Sequence, residues 1–458
     1  MADPAAPLAP RSEARLSPVR ADLAQLLKLS GPVVLARLGI MTMGLMDAIV
    51  VGRYSAEQLG FHAMAWAPTS VILTMAIGLL TGVQVMTARA VGEGRRHESG
   101  AVLRRGLVYG GWIGLASMLV LVVAAPWGLS RIGLEPSLAA GSTGPVIIFA
   151  LSLPTYVVAC AASFWLEGLS RPGPAMVIMW LANIVNLAFL LVLVPGAFGL
   201  PALGAVGAAW ATFAARAFLA ATLLIYIARM TDSKALGVFT KPARDRAAAA
   251  EQRKIGYGAG ASNFFEVAAF ASLNVVAGWI GTLALAAWTV VLNVISMVFM
   301  APLGLATATA VLVSSAYGAR DRSAVLRAGL LGFAVTAVFG VVVSLLIWPA
   351  APWIAAAYTT DPQVISVAAA ALALSCLFLL ADGLQVVIAQ ALRARGDVWM
   401  PTFTHLTSYV VIMMPLAWWL ALPMGMGVTG LVWAVILASL VSVGLLAVRF
   451  WRLSRQPL

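Results

Sequence analysis

Twelve apolar runs, each about 20 residues or longer, divide the chain and leave short polar stretches between them. They fall near 31–52, 62–90, 107–126, 141–165, 175–196, 203–228, 255–278, 285–316, 327–348, 363–392, 402–422 and 428–450. A run of that length is what a helix needs to cross the hydrocarbon core of a bilayer. The runs are continuous rather than alternating, so they predict helices and disfavour a transmembrane β-barrel. The composition agrees: 62% of residues are hydrophobic and 10% are charged, against about 25% charged in a soluble domain. The sequence predicts an all-α membrane protein with twelve transmembrane helices.

The net charge of +12 is explained by topology rather than by nucleic acid. Of the 29 Lys and Arg residues, Arg37 and Arg216 fall inside runs and Arg53 and Arg131 in loops on one side; the rest, including Arg11, Arg15, Lys241, Arg244 and Arg393, cluster on the other side. Basic loops stay cytoplasmic. The pattern predicts both termini inside, a bacterial inner-membrane location and no nucleic-acid partner. Cys160 and Cys376 both lie in runs and form neither a disulfide framework nor a metal motif. No signal-peptide pattern is evident. Residues 18–30 read as a short amphipathic helix on the inner surface, within a cytoplasmic N-terminal segment 1–30.

The chain repeats itself. AVLRRGL at 101–107 matches AVLRAGL at 324–330, and Gly204, Gly207 and Trp210 match Gly427, Gly430 and Trp433, each at an offset of 223 residues. Gly78, Thr81 and Gly92 match Gly304, Thr307 and Gly318 at 226. The reading is an N-lobe over 31–228, a linker over 229–254, a C-lobe over 255–450 and a tail over 451–458. Equivalent spans then run in the same direction, a parallel repeat about an axis along the membrane normal, with substrate expected between the lobes.

Three acids lie within the apolar runs: Asp47, Glu266 and Asp382. A carboxylate inside a bilayer costs about 2.5–3.5 kcal/mol on insertion scales, so such acids usually bind an ion, carry a proton or meet a substrate. None has an acidic counterpart in the other half, so the repeat builds the scaffold and the acids were added to each lobe separately. Each C-lobe acid has an amide on its own helix face, Asn263 for Glu266 and Gln385 for Asp382.

LMDAIVVGRYS, NFFEVAAF, LNVISMVFMAPLGLATATAVLVSSAYGA and DGLQVVIAQALRARGDVWMP resemble the multidrug and toxic compound extrusion (MATE) family, closest to its NorM-like branch. The resemblance implies two six-helix lobes in a V and export of cationic, amphiphilic, often aromatic compounds against an inward flow of Na⁺ or H⁺. It places the family's N-lobe acid on Asp47, its fifth-helix asparagines on Asn183 and Asn186, a sixth-helix threonine on Thr212, and the C-lobe acids on Glu266 and Asp382. Asp47 and Asn186 are the candidates for a Na⁺ site, since hard cations take oxygen ligands. The branch often has a tyrosine one turn before the tenth-helix acid. Phe378 stands there in this chain, which removes an oxygen and weakens a C-lobe sodium site.

Other polar residues have two readings each. Asn293, with Met297 and Met300 on nearby turns, joins helices or contacts drug; Asn263 and Gln385 are further candidates for substrate contact. Arg216 either snorkels toward the inner surface or pairs with a lobe acid and competes with a bound cation. Glu167 and Arg171 read as an i, i+4 surface pair, and His405 as a packed polar residue. Pro32, Pro68, Pro154, Pro302 and Pro415 are expected to bend helices. No P-loop, HExxH or CxxC motif occurs, so neither an enzyme nor an ATP-driven pump is expected and no cofactor is called for. The chain is expected to act as a monomer. The alternative is a lipid-linked precursor flippase of the same superfamily, which would want a strongly cationic central cavity.

Overall fold

The computed structural model describes residues 18–131, 135–240 and 245–456. Among these, twelve helices are long and apolar enough to span a membrane: α1 (Pro18–Tyr54), α2 (Ala56–Gly92), α3 (Arg96–Arg131), α4 (Pro136–Gly168), α5 (Gly173–Leu193), α6 (Gly204–Arg229), α7 (Arg246–Ile280), α8 (Thr282–Gly318), α9 (Arg322–Tyr358), α10 (Pro362–Ala394), α11 (Trp399–Ala421) and α12 (Gly427–Ser454). No strand occurs among the described residues. In lipid every backbone polar group needs an internal partner, and a helix supplies one within its own segment. Side chains close the ends that leave the apolar layer. Ser55, Asp245, Asp321 and Asp361 each accept a backbone N–H in the first turn of the helix that follows.

The helices form two lobes with separate cores. Phe149, Leu153 and Trp165 lie within one, and Trp288, Phe378 and Tyr409 within the other. The lipid-facing sides stay apolar: Trp112, Leu119 and Trp127 on α3, and Leu345, Trp348 and Trp353 on α9, are exposed. Such faces belong against acyl chains.

The repeat seen in the sequence reappears in the backbone. Arg95 N–H bonds Ala90 C=O and Asp321 N–H bonds Ala316 C=O; Arg171 N–H bonds Leu166 C=O and Asp397 N–H bonds Leu392 C=O. Each pair of bonds differs by 226 residues at both ends. The lobes also meet reciprocally. Gly92 on α2 leaves no room for a Cβ against the Ser315 carbonyl of α8, while Gly318 on α8 stands in the same way against the Arg89 carbonyl of α2. Gly78 faces Gly260, and its counterpart Gly304 faces Val34. Toward the basic end, α2 and α8 are buried almost all round; toward the other end each keeps an exposed face. The lobes therefore touch at the basic end and leave a cleft toward the opposite one.

Two boundaries differ from expectation. Residues 18–30 are not a separate surface helix but the first turns of α1, with Leu26 and Leu29 buried against α8 and Asp22 ion-paired to Arg327 of α9. The N-terminal part of α1 thus belongs to the contact between the lobes, which its apolar residues favour over the membrane surface. The stretch between the lobes is shorter than expected, because Asp245 caps α7 from Arg246 onward. Part of it packs on the N-lobe, where Gly100 N–H bonds Leu236 C=O and Arg104 bonds Val238 C=O. The basic residues Arg11, Arg15, Lys241 and Arg244 lie outside the described residues.

Candidate functional site

In the N-lobe, α1, α5 and α6 bring Asp47, Asn186 and Thr212 together. All three are buried. Asn186 Nδ2 donates to Asp47 Oδ1 at 2.7 Å, and Thr212 Oγ1 donates to Asp47 Oδ2 at 2.6 Å. Asn183, one turn back on α5, donates to the Met179 carbonyl of its own helix at 2.9 Å and does not bond Asp47. The side-chain oxygens of Asn183 and Asn186 are both buried without a partner. A buried acceptor left unpaired costs about 1–3 kcal/mol. The Asn186 oxygen, on the amide that bonds Asp47, adds an acceptor beside the carboxylate of the kind a hard cation takes, whereas the Asn183 amide lies by Gly39 of α1.

Arg216 follows Thr212 by one turn and lines the same cavity as Asp47, with Met43, Trp66 and Tyr156. It does not snorkel, being 3% exposed, and it makes no ion pair among the described residues. Its Nη1 donates to Ser152 Oγ at 2.6 Å, its Cζ lies 4.7 Å from the Tyr156 ring centroid and 5.7 Å from that of Trp66, and its Nε has no partner.

An adjoining cavity toward the basic end is lined by Arg37, Tyr156, Cys160, Phe164 and Glu167. Glu167 is 5% exposed and pairs with Arg37 at 3.8 Å, not with Arg171. The expected surface pair fails because α4 stops at Gly168 and Ser170 takes a left-handed φ of 62°. Arg171 leaves the helix face and pairs with Asp232 at 2.8 Å.

The C-lobe is built differently. Asp382 on α10 is buried, and Tyr409 Oη donates to its Oδ1 at 3.3 Å. Tyr409 sits in a π-helical stretch of α11, Leu406–Met413, with Phe270 on one side and His405 edge-on at 5.5 Å. His405 is packed as expected, its Nδ1 2.9 Å from Ser262 Oγ. Glu266 on α7 is half-buried and makes no hydrogen bond or ion pair among the described residues. On the common frame set by Val34 and Gly260, Glu266 corresponds to Ile40, so Asp47 stands seven residues farther from the basic end. α10 repeats α4 at the same 226-residue shift, which sets Asp382 opposite Tyr156 and Arg393 opposite Glu167. Arg393, assigned by sequence to the cytoplasmic side, is buried in the lobe with Nε and Nη2 unpartnered.

The amides expected to serve substrate divide. Asn263 donates to the Thr74 carbonyl across the lobe contact at 3.4 Å, not to Glu266. Gln385 is fully buried with both amide atoms unpartnered, so it faces the lobe interior and not the cleft. Asn293 is exposed and bonds the Thr289 carbonyl of its own helix at 2.9 Å; Met297 is exposed and Met300 half-buried beside it on α8.

A family profile described as MatE matches residues 32–192 and 259–419, one copy per lobe. The chain belongs to the MatE family. A "Probable multidrug resistance protein NorM" of Caulobacter vibrioides is 60% identical over 439 residues, covering 95% of this chain and 93% of that protein. A protein of the same description from Bradyrhizobium diazoefficiens is 29% identical over 453 residues, covering 95% and 94%. Among solved structures, the eukaryotic MATE transporter AtDTX14 superposes with a TM-score of 0.86 at 18% identity, covering 95% of this chain and 99% of that one. An outward-facing multidrug resistance MATE transporter of the MOP superfamily gives 0.87 at 18%, covering 95% and 97%. This MatE protein is therefore a multi-pass membrane transporter and not an enzyme. Phe378, where the NorM-like branch often has tyrosine, is fully buried. The oxygen expected to be missing beside Asp382 comes instead from Tyr409 of α11. No sequence signal marked Tyr409, because one tyrosine in an apolar run is usual and its direction depends on the π-helical turn.

Proposed function

We propose that this MatE protein is a secondary active multidrug exporter: an antiporter that moves cationic, amphiphilic, often aromatic compounds outward by alternating access while Na⁺ or H⁺ moves inward. In this reading it lies in a bacterial inner membrane with both termini and the basic loops on the cytoplasmic side. The observation that carries the reading is Asp47, buried in a spanning helix with both carboxylate oxygens held by Asn186 and Thr212, the Asn186 amide oxygen being unpartnered. Such an acid is expensive in a membrane and is kept where it meets an ion or a proton.

The cleft opens toward the end opposite the basic loops, so an external cation reaches Asp47 with the lobes apart on that side. Its binding favours release of drug outward, a coupling between two sites that acts equally in both directions. Glu266 and Asp382 act in the C-lobe, on the coupling ion or as counter-charges to a cationic drug. Asn293, Met297 and Met300 offer a drug-facing surface on α8, where flexible methionines adapt to varied shapes.

The test is efflux of ethidium, a cationic dye, from proteoliposomes with Na⁺ and H⁺ gradients imposed one at a time. Wild type should respond to one or both. Asp47→Asn should lose gradient-driven efflux while remaining folded in the membrane; efflux as fast as wild type from that variant refutes the assignment.

A further inference from the structure

We propose that Arg216 is a built-in counter-charge that weakens the hold of Asp47 on its coupling cation, with Ser152 setting how strongly it does so. The inference rests on the coupling role of Asp47 stated above. A guanidinium is costly to bury unless it is paired and fully hydrogen-bonded. Arg216 is nonetheless 3% exposed, with one bond to Ser152, two aromatic rings against it and an unpartnered Nε. If its role were packing alone, an apolar side chain would serve better.

Its position gives it another role. Thr212 donates to Asp47 at 2.6 Å, and Arg216 lies one helical turn farther along α6, lining the same cavity. A guanidinium is always charged, so it lines the cavity of Asp47 as a cation whether or not an ion is bound. In a desolvated cavity the charge acts with little screening. It stabilises the carboxylate when no ion is bound and repels a second cation that binds there. An exporter needs that balance, since an ion held too tightly is not released on the other side.

Ser152 Oγ holds the guanidinium against α4 at 2.6 Å, within the cavity but not on the carboxylate. The other charged or titratable groups near this space are Tyr156, which both cavities share, and Cys160, Arg37 and Glu167 in the adjoining one. Arg37 and Glu167 are paired with each other. Arg216 is therefore the unpaired cation that shares a cavity with Asp47.

The test uses the reconstituted full chain and reads the concentration of the driving ion that gives half-maximal ethidium efflux. Arg216→Met should lower that concentration about tenfold, the effect of removing one unit charge from a poorly solvated site. Ser152→Ala removes the tether, lets the guanidinium move onto Asp47, and should raise the concentration severalfold. It is a small change that keeps the chain folded should Arg216→Met fail to fold. Half-saturation unmoved in both variants overturns the inference; if Asp47→Asn still abolishes the drive in the same assay, the coupling role of Asp47 stands without it. Retained drive in Asp47→Asn removes both.

Discussion

The hydroxyl of Tyr409 reaches Asp382 from a neighbouring helix, and nothing else about the ring depends on it. Tyr409→Phe should keep the packing against Phe270 and His405 while removing the donor, at a cost of about 1 kcal/mol. A lower thermal midpoint of the purified protein, with the fold intact, is the expected result; an unchanged midpoint would show the bond contributes nothing. At this scale the acids were legible because a charge in an apolar run stands out. Their partners were less so. Asn186 and Thr212 came from family resemblance, and the structure joins both to Asp47. Glu167 was misread because i, i+4 spacing is informative only while the helix continues, and α4 ends at Gly168. Gln385 shares a helix face with Asp382, but a shared face does not say whether it points to the cleft or to the lobe interior.

Helix ends were set by polar residues that the apolar runs do not include. Asp321 caps α9, its carboxyl accepting from the Ala324 N–H at 3.0 Å and the Ser323 hydroxyl at 2.7 Å. These bonds, the Ala324 N–H foremost, hold the carboxyl below its ordinary value of 3.8. A depressed value means the cap's contribution is present above 3.8 and is lost as the pH falls through the lower folded value. Hydrogen exchange in the first turn of α9, corrected for intrinsic rates, should stay constant from neutral pH down to about 4 and quicken below. In Asp321→Ala it should be fast throughout. The early start of α1 went unread for a related reason: Leu26 and Leu29 look like a membrane-surface face until a second lobe is there to cover them. The π-helical turn of α11 has no pattern in LTSYVVIM that distinguishes it from an α-helix.

The whole molecule was the most legible level. The glycines that matched at a 226-residue offset are among those through which the lobes touch, because a close backbone approach admits no Cβ. Gly92→Ala and Gly318→Ala should each hold the lobes apart at the basic end. Ala88→Cys, at a position with no exposure in the contact, should react slowly with an impermeant maleimide in the parent chain and faster when combined with either substitution. Labelling that stays slow would show that the lobes absorb the added methyl. The lobes share one scaffold but not one depth of acid. Asp47 stands seven residues, about 10 Å, farther from the basic end than Glu266, roughly a third of a ~30 Å hydrocarbon layer. In a uniform field, a charge that passes from one level to the other crosses that fraction of the transmembrane voltage, about 0.8 kcal/mol per 100 mV. On the coupling roles proposed above, Asp47 and Glu266 are unequal electrical stations, and the rate at which an ion reaches each should respond differently to the resting potential of the cell.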